Sequence, residues 1–365
     1  MGNDIEFDQS EARKILPALD NLGGDTQQGR SYIDGYMSLT FAEEGIINRL
    51  SGGHEAVRTA VDDRLGELRT YFATTLSENF DATFRLYETN EAAEEATLRT
   101  LEEFYRADAR MVADLRRSDS ELWGSEPATG RRGQPFAPPE QPDGHYTPVS
   151  VGGDGIEGVQ QPPGVLDYFS FTFYVRYVVE FVTGHDPLEL IGRPIAGDWD
   201  QFVLISKALR NLADGLRAVV TNLVAHVDQL EAVWDGNAYM ACNLAVHNAA
   251  KEIQDGMVQP LEDAADLYEE AAAAAHQTYQ DLAPAISAVI DIATGIGLVK
   301  ALLSGASKAS ARLLGEKVDW IAARTSEFQA AVQAANSGLE SVSREFTELK
   351  AADSVPPVLA EYQSR

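Results

Sequence analysis

The stretch EAVWDGNAY, residues 231–239, interrupts what is otherwise continuous helical patterning. Upstream of it, Trp199, Phe202, Ile205, Leu209, Leu212, Leu216, Val219, Leu223, Val227, Leu230 and Trp234 recur at three- and four-residue steps. That spacing is one apolar stripe on a helix of roughly 35 residues, about 50 Å long at about 1.5 Å per residue. Asp235, Gly236 and Asn237 supply turn chemistry, because glycine adopts positive φ without steric cost and aspartate or asparagine caps a following helix. The reading is helix, tight turn, helix, which makes the antiparallel hairpin the building unit of the chain.

A second stripe lies nearer the N-terminus. Val57, Val61, Leu65, Leu68, Phe72, Leu76, Phe80, Phe84, Tyr87, Leu98, Leu101 and Phe104 mostly keep the same steps. A helix of about 60 residues would be about 90 Å long and needs a partner along its length. LSGGHE, 50–55, reads as the break before it, and the segment from about 26 to 49 as the shorter arm of a glycine-turned hairpin. Residues 1–122 are thus an N-terminal helical hairpin.

Residues 123–165 are dense in proline and glycine and have no period, which predicts a linker or exposed loop. LDYFSFTFYVRYVVEFV, 166–182, has strand-like composition but no second strand to pair with, so 166–195 is expected as a short helical segment docked on the bundle. Residues 196–350 hold the Trp234 hairpin and C-terminal helices. Gly256 and Pro260 should bend or interrupt the second arm. Past Gly305 the period returns through Leu313, Leu314, Val318, Ile321, Phe328 and Val332, and residues 351–365 form a frayed tail. The fold class is all-α, built from long antiparallel hairpins with coiled-coil-like packing.

Composition narrows the function classes. The chain has 365 residues, 44% of them hydrophobic, enough for packed cores. Its net charge of −28 repels phosphate backbones and anionic lipid surfaces, so nucleic acid is not an expected partner. The N-terminal MGNDIEFDQSEARK has neither a basic region nor an apolar core, so no Sec-type signal is expected. PAISAVIDIATGIGLVKALL, 284–303, carries Asp291 and Lys300 and reads as core or interface helix, leaving no transmembrane span.

No catalytic constellation emerges. His54, His145, His185, His226, His247 and His276 are scattered singly, and Cys242 is the one thiol. There is no phosphate-binding loop, dinucleotide fingerprint or nucleophile elbow, and ATGIGLVK lacks the third glycine and a preceding strand. A di-iron bundle would need paired Glu-x-x-His motifs, which are missing. The expectation is a non-enzyme without metal or cofactor.

Trp234-Asp235-Gly236 in the turn of a long hairpin resembles the Trp-X-Gly motif of type VII (ESX) secretion substrates of actinobacteria and firmicutes. Tyr87 to Glu91, YETNE, is similar to the Tyr-x-x-x-Asp/Glu signal of the same substrates. The two signals fall on different hairpins here: Tyr268 is followed by Ala272 and Tyr279 by Ala283, so the second hairpin lacks the tyrosine signal. That division resembles the Pro-Glu and Pro-Pro-Glu protein pairs of mycobacteria, or a fusion of such a pair. The resemblance implies a four-helix bundle, export in the folded state to the medium or cell surface, and a secretion ATPase as partner. It also implies a dedicated chaperone, and self-association or pairing with a small helical hairpin. Trp234, Gly236, Tyr87 and Glu91 would then form a composite surface that exists only when both hairpins are folded. Three readings compete with it. Trp234 could plug the bundle end, the chain could be the targeting half of a polymorphic toxin, or it could be a cytoplasmic structural or chaperone-like coiled coil.

Overall fold

A computed structural model of the chain describes residues 7–38, 46–91, 136–150, 180, 199–234, 237–295 and 307–348. Among the described residues every regular element is helical. The elements are α1 (Gln9–Ala12), α2 (Ile15–Met37), α3 (Ile46–Thr70), α4 (Ser77–Glu91), α5 (Trp199–Gln229), α6 (Asn237–Ile253), α7 (Gln259–Gly295) and α8 (Ser307–Val342). A π-helical turn, Tyr71–Leu76, joins α3 to α4, and a second, Gln254–Val258, joins α6 to α7.

Two hairpins form the body. In the first, α2 packs along α3, the π turn and α4; in the second, α5 packs along α6, its π turn and α7. The hairpins meet where α2 contacts α5, and α8 packs on both α7 and α3 to close the circuit. Both stripes face inward: Val57 through Tyr87 and Phe202 through Trp234 are buried at every described position of the stripes. Each such side chain contributes about 1.5–3 kcal/mol by leaving water, and this outweighs weak local propensities. Leu98, Leu101, Phe104, the 166–182 cluster apart from residue 180, and the 351–365 tail lie outside the described residues. Leu314 is buried while its neighbour Leu313 is 45% exposed, because adjacent helical residues are about 100° apart and only one can face the core.

The first hairpin differs from its sequence reading in two respects. Its first arm is α2, starting at residue 15 rather than near 26, and α3 runs without a break through Gly52 and Gly53. These glycines serve a helix crossing. A Cβ at Gly53 would lie 2.5 Å from the Asn336 carbonyl oxygen and 2.7 Å from Leu339 Cβ, both on α8. The Gly53 N–H also donates to Asn336 Oδ1 at 2.8 Å. A glycine pair signals either a turn or a close approach, and only the partner helix distinguishes them.

At the second arm, Gly256 and Pro260 mark the π turn, so the interruption widens the helix without ending it. The carbonyl of Gly256 accepts from the Thr347 N–H, 3.2 Å away, at the chain's return past α8. One buried polar link crosses the core. Met37 O, at the end of α2, can only accept, so His54 Nε2 donates to it at 3.0 Å and Nδ1 accepts from the Tyr268 hydroxyl at 2.7 Å. Burial holds His54 below and Tyr268 above their ordinary pKa values, so both stay neutral.

Of the segment expected as a linker or exposed loop, residues 136–150 lie along the groove between α2 and α5, with a short 3-10 turn at Pro142–His145. Its extended backbone has few partners of its own, and the helices supply them. Glu140 N–H donates to Asn222 Oδ1 at 3.0 Å, and Asn222 Nδ2 donates back to Glu140 O at 3.1 Å. Side chains from a packed helix thereby replace the second strand that an extended segment ordinarily needs.

Candidate site at the tryptophan turn

α5 ends in a 3-10 turn, Leu230–Ala232, which brings Trp234 across the top of the hairpin. The indole is 1% exposed. It meets the end of the other hairpin: Tyr87 and Phe84 of α4 each have ring centroids 5.7 Å from it, at 83° and 76°, the edge-to-face geometry that aromatic quadrupoles favour. Tyr239, two residues into the described part of α6, adds a third ring at 6.1 Å.

The N-terminal segment covers this cluster. Phe7 forms a single antiparallel bridge with Trp234, and the Asp8 N–H donates to Val233 O at 2.8 Å. The Phe7 ring lies 4.8 Å from Tyr87, 5.7 Å from Phe84 and 5.9 Å from Trp234. Asp8 then caps α1, accepting from the Glu11 N–H at 3.2 Å; the Ser10 hydroxyl and that N–H hold its carboxyl below the usual range. Arg13 pairs with Asp81 and fastens α1 to α4.

Thus Trp234 and Tyr87 are in contact, as a joint site requires, but both are core residues, Tyr87 at 8% exposure. The Trp234 ring, expected from the resemblance to be part of a composite surface, is enclosed by Phe7, Phe84, Tyr87 and Tyr239. Trp234 Nε1 is buried without a hydrogen-bond partner among the described residues. Asp235 and Gly236 lie outside the described residues, as does the side chain of Glu91.

Below the turn, a polar cluster that the sequence reading missed joins the hairpin arms. Asn243 Nδ2 donates to Asp228 Oδ1 at 2.8 Å and to the Tyr239 hydroxyl at 3.2 Å, while His247 Nε2 lies 3.4 Å from the same carboxylate oxygen. The available signal was the four-residue spacing of Tyr239, Asn243 and His247, which puts three polar groups on one helix face. Phe7 had no such signal, since its partners are distant in sequence. The Cys242 thiol is pushed up to about 12 by burial and is protonated at neutral pH. Among the described residues no group of three or more His, Cys, Asp or Glu side chains could hold a metal ion, and no helix is long and apolar enough to cross a membrane.

No family model matches the chain, and neither a curated protein nor a solved structure matches it.

Proposed function

We propose that the protein is a non-enzymatic substrate of a type VII secretion system, exported folded and acting outside the cell as a binding or assembly protein. The observation that carries the reading is the edge-to-face contact of Trp234 with Tyr87, one from each hairpin, with centroids 5.7 Å apart. A junction of that kind reports that both halves are folded and paired. A secretion ATPase reading its rim, together with Glu91 four residues after Tyr87 in the chain, would select the assembled protein. The 1% exposure of Trp234 favours a second reading, in which the indole is a keystone between hairpins and carries no signal.

Export of full-length protein from a secretion-competent host, compared with a strain lacking the secretion ATPase, tests the proposal. Tyr87→Phe keeps the ring packing and removes the hydroxyl; Glu91→Ala removes the carboxylate. Reduced export of Glu91→Ala, or of the pair together, with unchanged helical signal supports recognition at this end. Equal export from wild type and the double variant assigns the aromatic junction to folding alone. Equal export from both strains removes the type VII reading.

A further inference from the structure

The groove between α2 and α5 holds residues 136–150 in a manner that is mostly blind to sequence. Besides the Asn222 clamp on Glu140, Gln229 Oε1 accepts from Phe136 N–H at 2.7 Å and the Tyr36 hydroxyl from Val149 N–H at 3.1 Å. The Tyr32 hydroxyl donates to Thr147 O at 2.9 Å, and Lys207 Nζ to Ser150 O at 3.0 Å. All of these contacts read main chain. Side-chain identity matters at three points: the buried Phe136 against His226 on α5, the buried Pro142, and the half-buried Tyr146. Tyr146 enters a notch cut by two glycines. A Cβ at Gly215 would lie 2.3 Å from its Cε1, and one at Gly29 would lie 2.8 Å from its hydroxyl oxygen.

Two features of the segment fit the groove poorly. The Tyr146 hydroxyl is buried without a hydrogen-bond partner among the described residues, so it gives up its bonds to water and gains none in return. Asp143 sits near Asp25 of α2, whose carboxyl is held above its usual range first by burial and second by the Asp143 charge. An extended segment with phenylalanine at the Tyr146 position and an uncharged residue at the Asp143 position would keep every main-chain contact and lose both penalties.

We propose that the α2–α5 groove is a peptide-binding site for an extended, proline-containing segment of a partner protein, and that residues 136–150 are its built-in, displaceable occupant. The occupant is matched by its main-chain path, by an aromatic residue at the Phe136 position, proline at the Pro142 position, and an aromatic ring without an unpaired hydroxyl at the Tyr146 position. Tethering gives the internal segment an effective concentration of about millimolar, so a partner segment must be the better ligand. The two misfits leave room for one.

Fluorescently labelled synthetic peptides spanning 135–150, one with the native sequence and one carrying D143N and Y146F, are titrated into full-length protein. The altered peptide should bind about tenfold tighter than the native one. Both should bind about tenfold tighter to full-length Phe136→Ala protein, whose internal segment has lost one anchor. Adding Asn222→Ala to that variant should weaken binding of both peptides. Should Phe136→Ala disturb the helical signal, hydrogen exchange on wild-type protein serves instead: saturating altered peptide should deprotect residues 136–150. Absence of binding together with unchanged protection overturns the proposal, as does binding indifferent to Asn222→Ala or equal affinity of the two peptides.

Discussion

His54 and Tyr268, from different hairpins, share a 2.7 Å hydrogen bond in the core, and the other imidazole nitrogen of His54 donates to the last carbonyl of α2. Three helices from two hairpins are joined through one ring. Replacing His54 by leucine leaves the Tyr268 hydroxyl and Met37 carbonyl buried and unpaired, and should cost about 2–4 kcal/mol. Tyr268→Phe loses one bond and should cost about 1 kcal/mol. Chemical denaturation of each variant, read by circular dichroism, gives the two values; equal costs would show that the Met37 bond contributes nothing.

The buried histidines also set a pH dependence. Burial lowers His226 to about 4, against about 6.5 in the unfolded chain, and lowers His54 as well. Below pH of about 6.5 the unfolded state therefore binds protons that the folded state refuses. Stability should fall as the pH drops, by up to about 1.4 kcal/mol per pH unit for each histidine, and the share due to His226 is exhausted near pH 4. Asp25, raised when folded, acts in the opposite sense. The difference between wild type and His226→Leu cancels that contribution. Urea midpoints at about pH 7 and pH 5 should converge for the variant relative to wild type, and identical slopes would place the His226 ring in water.

Trp234 and Tyr87 are both buried, so both should be costly to truncate. Trp234→Ala is expected to lose about 3–5 kcal/mol and Tyr87→Ala about 2–4 kcal/mol, well above the loss expected of an exposed tyrosine. Their double variant should lose less than the sum, because each removes the other's packing partner. Additive losses would mean that the two rings do not share one cluster.

Two glycines separate close packing from helix propensity. Gly53→Ala drives a methyl into the backbone of α8 and should destabilise by about 1–3 kcal/mol. Gly24→Ala, with open space around the new carbon in the exposed face of α2, should stabilise by about 0.5–1 kcal/mol. Melting temperatures moving in the same direction would remove the crossing at Gly53.

Limited proteolysis tests the docked segment. Composition alone predicts early cutting throughout 123–164. With its main chain clamped, 136–150 should resist until Asn222→Ala frees Glu140, after which cleavage should appear there first. Equal cutting of both proteins within 136–150 would show that the clamp does not hold it.

The sequence by itself determined the helices. The stripes through Val57–Tyr87 and Phe202–Trp234 are local, three- and four-residue patterns, and burying such a face gains enough to fix an amphipathic helix whatever it packs against. It also placed the tryptophan turn and the interruption near Gly256, since turn and breaker chemistry acts within a few residues. What only the tertiary structure decided was which surfaces meet. Gly52-Gly53 reads as a turn in one dimension and is a helix crossing in three, because the deciding atoms belong to Asn336 and Leu339. The Pro/Gly-rich segment has no internal period, so its place depends on Asn222, Gln229 and Tyr36, side chains that lie on helices distant from it along the chain. Trp234 and Tyr87 could be named separately from the sequence, but their enclosure required Phe7. A backbone bridge from the N-terminal segment to the turn depends on the packed positions of both hairpins, and no local pattern encodes it.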